Sequence, residues 1–422
     1  MVHGCYAFGT GAAWPDPASA GPTVANYSNA TGLLTRLQEQ FDAGFRELYI
    51  TMGLAPPLWR EPSTGANADE SKIQAQYRAK WAEWGADIAS RATDQFPTAT
   101  ILFIFWNELK GYYSSTLNSW DMARYNLDYL AWANAIRTHP TLDQTRVKLG
   151  GPYAPVRPYR VNDGPANSNS GIIGFYGELD QRDLSAMSSF VTNIPANRRD
   201  FIVFDGGLLV RKAGTLPREI LMDNVYESMN LYTDTVDYIA GLTPHPVVVA
   251  EWYAGGAGNE VEAAPTPEQM DAYRTRLAVG LLKMYARGVK AMFLWKVEEH
   301  DPNDTIVYLT SPVHTLVYPG RFPHHAMWTS TRRKEDGTSG GELVGDRGGN
   351  IMPMGTLQKK FVDMWAVGAP IYACTSSDPR VYALSNGTQT IAVNTASVAL
   401  TALCGDSVTT TLPKWSTTVI GA

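Results

Sequence analysis

The chain has few cysteines, little excess charge and no long apolar run, and each absence excludes a class of protein. Three cysteines in 422 residues (Cys5, Cys374 and Cys404) form no disulfide framework, and their spacing fits no zinc motif. A net charge of −6, with one short basic run at 332–334, argues against a nucleic-acid partner. No run approaches the ~18 apolar residues of a membrane span, so no membrane association is expected. No signal peptide is visible at the N-terminus, which leaves open both its earlier removal and export by another route.

What is present is a globular composition, with 44% hydrophobic and 18% charged residues. Strand-like apolar runs alternate with helical patterns, which predicts a parallel α/β architecture whose strands are buried on both faces. The runs span 2–8, 46–52, 99–106, 147–151, 200–205, 246–252 and 289–295. The sequence therefore predicts a (β/α)8 TIM barrel.

Aromatic stripes at three- and four-residue spacing predict the helices between these strands. They are Ile73, Tyr77, Trp81, Trp84 and Ile88; Met122, Tyr125, Tyr129, Trp132 and Ile136; and Tyr273, Leu277, Leu281 and Met284. The last stripe follows a helix-start signal at 266–268. We interpret the stripes as core faces packed on the barrel, not as binding surfaces.

The tail changes character after a helix predicted around 357–365. Short Thr- and Val-rich runs at 381–384, 390–394, 399–404, 408–412 and 417–420 are separated by turns such as Asn386-Gly387. The sequence therefore predicts a catalytic barrel over 1–368 and a small β-sandwich domain over 369–422. Cys374 and Cys404 both lie in this tail, where a disulfide and two buried thiols are both open.

Two strands end at a glutamate, Glu108 after the run 99–106 and Glu251 within the run 246–252. In a (β/α)8 barrel the carboxyl ends of the strands form the active site, so both carboxylates are expected there. Two carboxylates about 5 Å apart are the groups that cleave a glycosidic bond with retention of configuration. The neighbouring rings, Trp106, Trp252 and Tyr253, are candidates for binding the sugar. The amide of Asn107 is a candidate for binding a sugar hydroxyl.

The order of these motifs resembles the clan A glycoside hydrolases, most closely family 39, the β-xylosidase and α-L-iduronidase group. The shared features are Trp-Asn-Glu at 106–108, Lys-Leu-Gly-Gly-Pro at 148–152, Asp-Phe-Ile at 200–202, Glu-Trp at 251–252, and an aromatic strand end at Trp295. The resemblance covers about 100–300, and family members also carry a β-domain after the barrel.

The resemblance implies a retaining enzyme in which Glu108 is the acid/base and Glu251 the nucleophile. It also implies that Asn107 binds the hydroxyl next to the anomeric carbon and that Trp295 lies at the floor of the sugar pocket. His3 matches the histidine of the family's Arg-x-His element near the second barrel strand, although the arginine is absent here. No cofactor and no metal are expected. The histidines at 300, 314, 324 and 325 are interpreted as loop residues.

The sequence also departs from the family pattern. Asp205-Gly206-Gly207 stands where the family has His-x-Tyr, and Leu109-Lys110 stands where it has Pro-Asn. Asp205 is therefore a candidate specificity residue, with a turn-forming role equally open. Tyr153, directly after the Gly-Gly-Pro motif, is a further candidate for substrate binding.

Seven strands are predicted where a barrel has eight. Either an upstream segment or another polypeptide completes the barrel, or a stretch such as 172–177 is the eighth strand. The expected function is hydrolysis of a poly- or oligosaccharide, with long loops at 154–180 and 301–352 walling the cleft. The alternative is a carbohydrate-binding or structural barrel in an extracellular or phage-tail assembly. The expected location is extracellular or virion-associated.

Overall fold

The computed structural model describes residues 5–7, 33–53, 55, 59–62, 71–156, 158–159, 173–174, 177–207, 225–253, 267–294, 332–334, 343–345, 353–366, 368–404 and 408–421. Every structural statement below concerns these residues. No helix among them is both long enough and apolar enough to cross a membrane.

The first half of the chain alternates strands and helices. In chain order the elements are β1 (Cys5–Ala7), α1 (Leu33–Asp42), β2 (Glu47–Met52), α2 (Arg78–Gln95), β3 (Thr100–Phe105), β4 (Tyr113–Ser114), β5 (Ser119–Trp120), α3 (Met122–Arg137), β6 (Val147–Pro155), β7 (Pro158–Tyr159), β8 (Ile173–Gly174), β9 (Gly177–Leu179) and α4 (Gln181–Asn193).

The second half continues the alternation and then becomes strand-rich. Its elements are β10 (Phe201–Gly207), α5 (Val225–Leu242), β11 (Val247–Tyr253), α6 (Pro267–Ala286), β12 (Ala291–Leu294), β13 (Arg332–Lys334), β14 (Leu343–Gly345), α7 (Pro353–Met364), β15 (Tyr372–Cys374), β16 (Val381–Ser385), β17 (Thr390–Asn394), β18 (Leu400–Cys404), β19 (Val408–Leu412) and β20 (Ser416–Ile420).

All seven predicted barrel strands are present in one parallel sheet of order β1-β2-β3-β6-β10-β11-β12. The sheet curls so that β2 meets β12, because the Tyr49 and Phe293 rings lie 4.8 Å apart between centroids and Lys290 pairs with Glu47 at 2.7 Å. The fold is therefore the expected (β/α) barrel. The alternative strand at 172–177 was wrong, because its described residues lie in a separate antiparallel sheet, β7-β9-β8. Within the described residues, β1 pairs only with β2.

Alternation along the strands gives the barrel two apolar layers. Leu102 and Ile104 of β3 point into the barrel with Val203 and Val248, whereas Phe103 and Phe105 point outward to the helices. The predicted aromatic stripes lie in the outer layer: α2 buries Trp81, Trp84 and Ile88, and α3 buries its whole stripe. Ile73 is an exception, since it pairs with Arg60 as a β-bridge before α2 begins. The helix-start signal was confirmed, because α6 begins at Pro267.

Gly150 and Gly151 of β6, in the 148–152 motif, let aromatic side chains pack directly against the backbone on both faces of the strand. A Cβ on Gly150 would lie 2.1 Å from the Phe201 ring, and a Cβ on Gly151 would lie 3.0 Å from the Tyr125 hydroxyl. Only glycine leaves room for both contacts at successive positions of the strand. The motif therefore has a packing reason of its own.

The predicted tail strands are all present, in the antiparallel sheets β15-β16-β17-β20 and β18-β19. The turn at Asn386-Gly387 also formed, with Gly387 at φ 94° and the Asn386 carboxamide accepting from Thr388 and Gln389. Cys374 and Cys404 are not joined in a disulfide. The tail packs on the barrel through Lys283, which lies 5.3 Å from the Tyr382 ring centre. The boundary at 368/369 stays a prediction.

Candidate active site

Three carboxylates meet at the carboxyl ends of the barrel strands. One oxygen from each of Glu108, Asp205 and Glu251 lies within 4.8 Å of the other two. Glu108 follows β3, Asp205 lies near the end of β10, and Glu251 lies near the end of β11. The sequence predicted the meeting of Glu108 and Glu251. It gave Asp205 only as a residue of specificity.

A shift in strand pairing aligns Asp205 with Glu251. Phe204 is paired with Val249, but the next pair along β10 is Asp205 with Glu251, so Ala250 is passed over. A second shift, between Val203 and Phe204, occurs where β10 pairs with β6. Such irregularities re-aim side chains next to active sites, and here they bring two acidic groups side by side.

The turn after β3 projects Glu108 by an unusual backbone path. Trp106, Glu108 and Leu109 all have positive φ values (65°, 50° and 56°), a region that non-glycine residues rarely adopt. The turn is held by Leu109, which is fully buried, and by the Trp106 indole, whose N–H donates to the Lys110 carbonyl at 2.6 Å. Backbone strain of this kind concentrates at functional sites and persists only where packing enforces it.

Lys110 is a functional candidate that the sequence reasoning missed. Its Nζ lies 2.8 Å from Glu108 Oε2, with the lysine side chain 35% exposed and the glutamate 23%. The sequence offered only the departure from Pro-Asn at 109–110 as a signal. The ion pair places an ammonium directly on one of the two expected catalytic carboxylates.

Tyr153 supports the other carboxylate. Its side chain is buried, its φ is 55°, and its hydroxyl donates a hydrogen bond to Glu251. The structure therefore gives Tyr153 a contact with a candidate catalytic carboxylate, and its expected role in substrate binding stays a prediction.

The electrostatics of the pair concentrate on Glu251. Burial, and then the negative charge of Glu108, raise the pKa of Glu251 from 4.5 to about 7. The Tyr153 hydrogen bond and the charge of Lys110 act in the opposite direction. Because the two glutamates interact, their protons belong to the pair, and one proton remains on it into the neutral range.

The remaining expected site residues divide into three groups. Asn107 lies beside Glu108 and is partly exposed, as a hydroxyl-binding amide requires. Trp106 is completely buried and packs against Trp81 and Tyr112, so it has no surface to offer a sugar. The side chains of Trp252 and Tyr253, and the whole of His3 and Trp295, lie outside the described residues, as does most of the predicted loop 301–352.

The carboxylate trio offers oxygen atoms of the type that hard cations bind. Lys110 already supplies a positive charge at Glu108, so we assign no metal to the site. Such a site can hold a bond between two carboxyl groups. One group can then donate a proton to the bond while the other, ionised, faces it from the opposite side.

Comparison with known proteins gives the fold alone. No protein-family model and no curated protein matches the chain. The structure of SrfJ from Salmonella typhimurium is similar with a TM-score of 0.53 and 11% identity, over 92% of this chain and 72% of that one. A GH30 endoxylanase from Clostridium papyrosolvens C71 matches with a TM-score of 0.45 and 12% identity, over 92% and 83% of the two chains. CelM2, a bifunctional glucanase-xylanase from a metagenome library, matches with a TM-score of 0.45 and 10% identity, over 94% and 87%. The resemblance to family 39 stays a prediction.

Proposed function

We propose that the chain is a retaining glycoside hydrolase that cleaves O-glycosidic bonds of a poly- or oligosaccharide. The observation that supports this most is the contact of Glu108, Asp205 and Glu251, with oxygens within 4.8 Å, at the carboxyl ends of parallel barrel strands. A retaining pair stands about 5–5.5 Å apart, whereas an inverting pair needs about 6.5–9.5 Å to admit a water molecule. The short separation therefore favours retention.

The proposed reaction has two displacements. The Glu251 carboxylate attacks the anomeric carbon while Glu108 donates its proton to the glycosidic oxygen, so the leaving sugar departs as an alcohol. Glu108, now ionised, then takes a proton from water, and the resulting hydroxide displaces Glu251 from the glycosyl intermediate. Tyr153 holds Glu251 in position, and Asn107 binds the neighbouring sugar hydroxyl.

The decisive experiment combines two variants with a panel of glycans and aryl glycosides. Glu251→Gln should abolish turnover and leave the fold intact. Glu108→Ala should slow glycosylation, most severely for poor leaving groups, and azide should restore part of the activity on substrates with good ones. Near-normal turnover by Glu251→Gln would end the two-glutamate mechanism. Binding of glycan without turnover, unaffected by either substitution, would instead support the carbohydrate-binding or structural barrel.

We also propose that the chain is related to family 39, that it acts outside a cell or on a virion, and that another segment or polypeptide supplies the eighth barrel strand. We propose that location because a glycoside hydrolase would meet the polysaccharides of cell walls there. A strand from another segment or polypeptide would pair with the open side of β1, since within the described residues that strand pairs only with β2. Hydrogen exchange at Tyr6 that slows only when a partner is added would support a second polypeptide.

A further inference from the structure

The arrangement around Glu108 is poorly suited to a resting general acid. An acid must hold its proton until the glycosidic oxygen arrives, and catalysis is best when its pKa lies near the working pH. An ammonium 2.8 Å from Glu108 Oε2 favours the ionised form of that carboxyl group instead. The structure therefore places a positive charge, the Lys110 ammonium, next to Glu108, the residue that is expected to carry the proton.

We propose that Lys110 is a positioning residue that acts through Glu108: its ammonium holds the Glu108 carboxylate ionised in the free protein, so the proton of the carboxyl pair resides on Glu251. The inference rests on the proposed function for its catalytic consequence, but not for the protonation itself. The reactive arrangement, with the proton on Glu108 and the charge on Glu251, is then the minor form of the resting enzyme.

The backbone shows that Lys110 is held in place for this contact. Its N–H donates to the Asn107 carbonyl at 3.0 Å, and its own carbonyl accepts from the Trp106 indole at 2.6 Å. Leu109, between the two charged residues, is buried, so Glu108 and Lys110 lie on either side of a fixed anchor. The backbone N–H and the backbone carbonyl of Lys110 are therefore both hydrogen-bonded within the turn that carries Glu108.

The two carboxylates around Glu108 oppose the ammonium, because a like charge disfavours the ionised form, whereas Lys110 contacts the Glu108 carboxylate directly. Among the described residues the groups that face it are Lys110 from its own turn, Asp205 of β10 and Glu251 of β11, with the Tyr153 hydroxyl of β6 bonded to Glu251. Lys110 is the one cation of this set, and its Nζ contacts Glu108 directly. Burial meanwhile favours the neutral form of Glu251, whose pKa is raised to about 7. Both effects move the proton toward Glu251.

Lys110→Met tests the inference, because methionine keeps the length of the side chain and removes its charge. The side-chain carboxyl carbons of the two glutamates are followed by ¹³C NMR across pH, with Glu108→Gln and Glu251→Gln used for assignment. We expect the Glu108 midpoint to rise by about one pH unit, the low end of the range for a close opposite charge, because the lysine is partly exposed. Lys110→Arg should keep the low midpoint.

Lys290→Met is the matched control. Lys290 forms a Lys–Glu ion pair of nearly the same length, 2.7 Å to Glu47, at the opposite end of the barrel. It should leave both midpoints unchanged.

The kinetic readout follows from the same shift. With substrates that have poor leaving groups, Lys110→Met should raise kcat/KM at its optimum by about three- to tenfold, because one pKa unit changes the ratio of the two proton positions tenfold. The acid limb of the profile, which Glu108 governs because it loses its proton first, should also move to higher pH. Unchanged titration of Glu108 in Lys110→Met, or an equal change in Lys290→Met, would overturn the inference. If no glycan is cleaved, the proposed function fails, while the NMR titration still decides the role of Lys110.

Discussion

The Tyr153 hydroxyl donates a hydrogen bond to the Glu251 carboxylate, although the two residues lie on strands separated by β10. The contact is possible because Tyr153 has a φ of 55°, which turns its ring out of the regular alternation of β6. A hydrogen bond donated to a carboxylate favours its ionised form, the form that attacks an anomeric carbon.

Tyr153→Phe should therefore impair catalysis more at low pH than at high pH. Loss of the hydroxyl raises the pKa of Glu251 further, so the limb that Glu251 governs should move to higher pH, with kcat/KM reduced below it and unchanged above it. A hydrogen bond to a charged group contributes ~1.5–3 kcal/mol, which corresponds to about tenfold or more in kcat/KM below the limb. The control is Tyr49→Phe, since Tyr49 lies in the same interior cluster with its hydroxyl 3.4 Å from Glu47. Equal effects of the two substitutions would contradict the assigned role.

Glu251→Gln should stabilise the protein at alkaline pH. A carboxyl group whose pKa is raised from 4.5 to about 7 binds its proton more tightly in the folded state, and that contribution is fully present below pH 4.5. It is lost as pH rises through 7, where the wild type must bury a charge that glutamine lacks. The gain in unfolding free energy at pH 8 should approach, as an upper bound, about 3 kcal/mol, and should vanish toward pH 4.5.

Urea denaturation at both pH values measures this gain. Glu47→Gln is the matched control, because it removes a carboxylate that is paired with Lys290 at 2.7 Å. That substitution should give no stabilisation at pH 8. If Glu251→Gln has the same free energy of unfolding as the wild type at pH 8, the buried charge of Glu251 does not destabilise the protein and the prediction is wrong.

Asp205→Asn should change which glycans are cleaved. Asp205 is only 3% exposed and lies within 4.8 Å of both glutamates, in register with Glu251. A carboxylate can accept hydrogen bonds from two sugar hydroxyls, and a site built for such bonds discriminates strongly when one is lost. We expect at least about a tenfold loss of kcat/KM on the preferred substrate, with a changed ranking among substrates. An unchanged ranking and rate, with a lowered thermal midpoint, would leave Asp205 a structural residue.

Gly150→Ala should destabilise the barrel. The added methyl group would lie 2.1 Å from the Phe201 ring, which is buried between β6 and β10, and overpacking of this kind costs about 1–3 kcal/mol. Gly241 of α5 is the control, since a Cβ there meets nothing within 4 Å. Gly241→Ala should be neutral or stabilising by up to about 1 kcal/mol. Equal unfolding free energies for the two variants would contradict the packing reason for the Gly-Gly motif.

The strands of the fold could be predicted because each carries a local signal. Buried parallel strands are continuous apolar runs, and all seven were found from that property alone. The helices of the outer layer were equally visible, except that the pattern starting at Ile73 ran past the true beginning of α2. Ile73 is apolar because it is buried beside the Arg60 bridge, and periodicity does not distinguish that burial from a helical face.

The site was predictable only where a strand end coincides with a carboxylate. Glu108 and Glu251 met that condition, and the barrel rule then placed them together. Trp106 also lies at a strand end, yet it is completely buried in the outer layer, where its indole N–H donates to the Lys110 carbonyl. The aromatic residue beside a catalytic candidate was therefore assigned to the sugar when it belongs to the core.

The sequence by itself determined the parallel strands, the β-rich tail and the meeting of two strand-end glutamates, because each follows from local periodicity or from a rule of the fold. The tertiary structure alone decided that Asp205 joins them, that Tyr153 lies under Glu251 and that Lys110 lies on Glu108. These contacts depend on pairing shifts of one residue and on single positive φ values, which leave no trace in hydrophobic pattern. The charge balance at the site, which governs where its proton resides, depends on distances of 2.8 to 4.8 Å that only the folded chain defines.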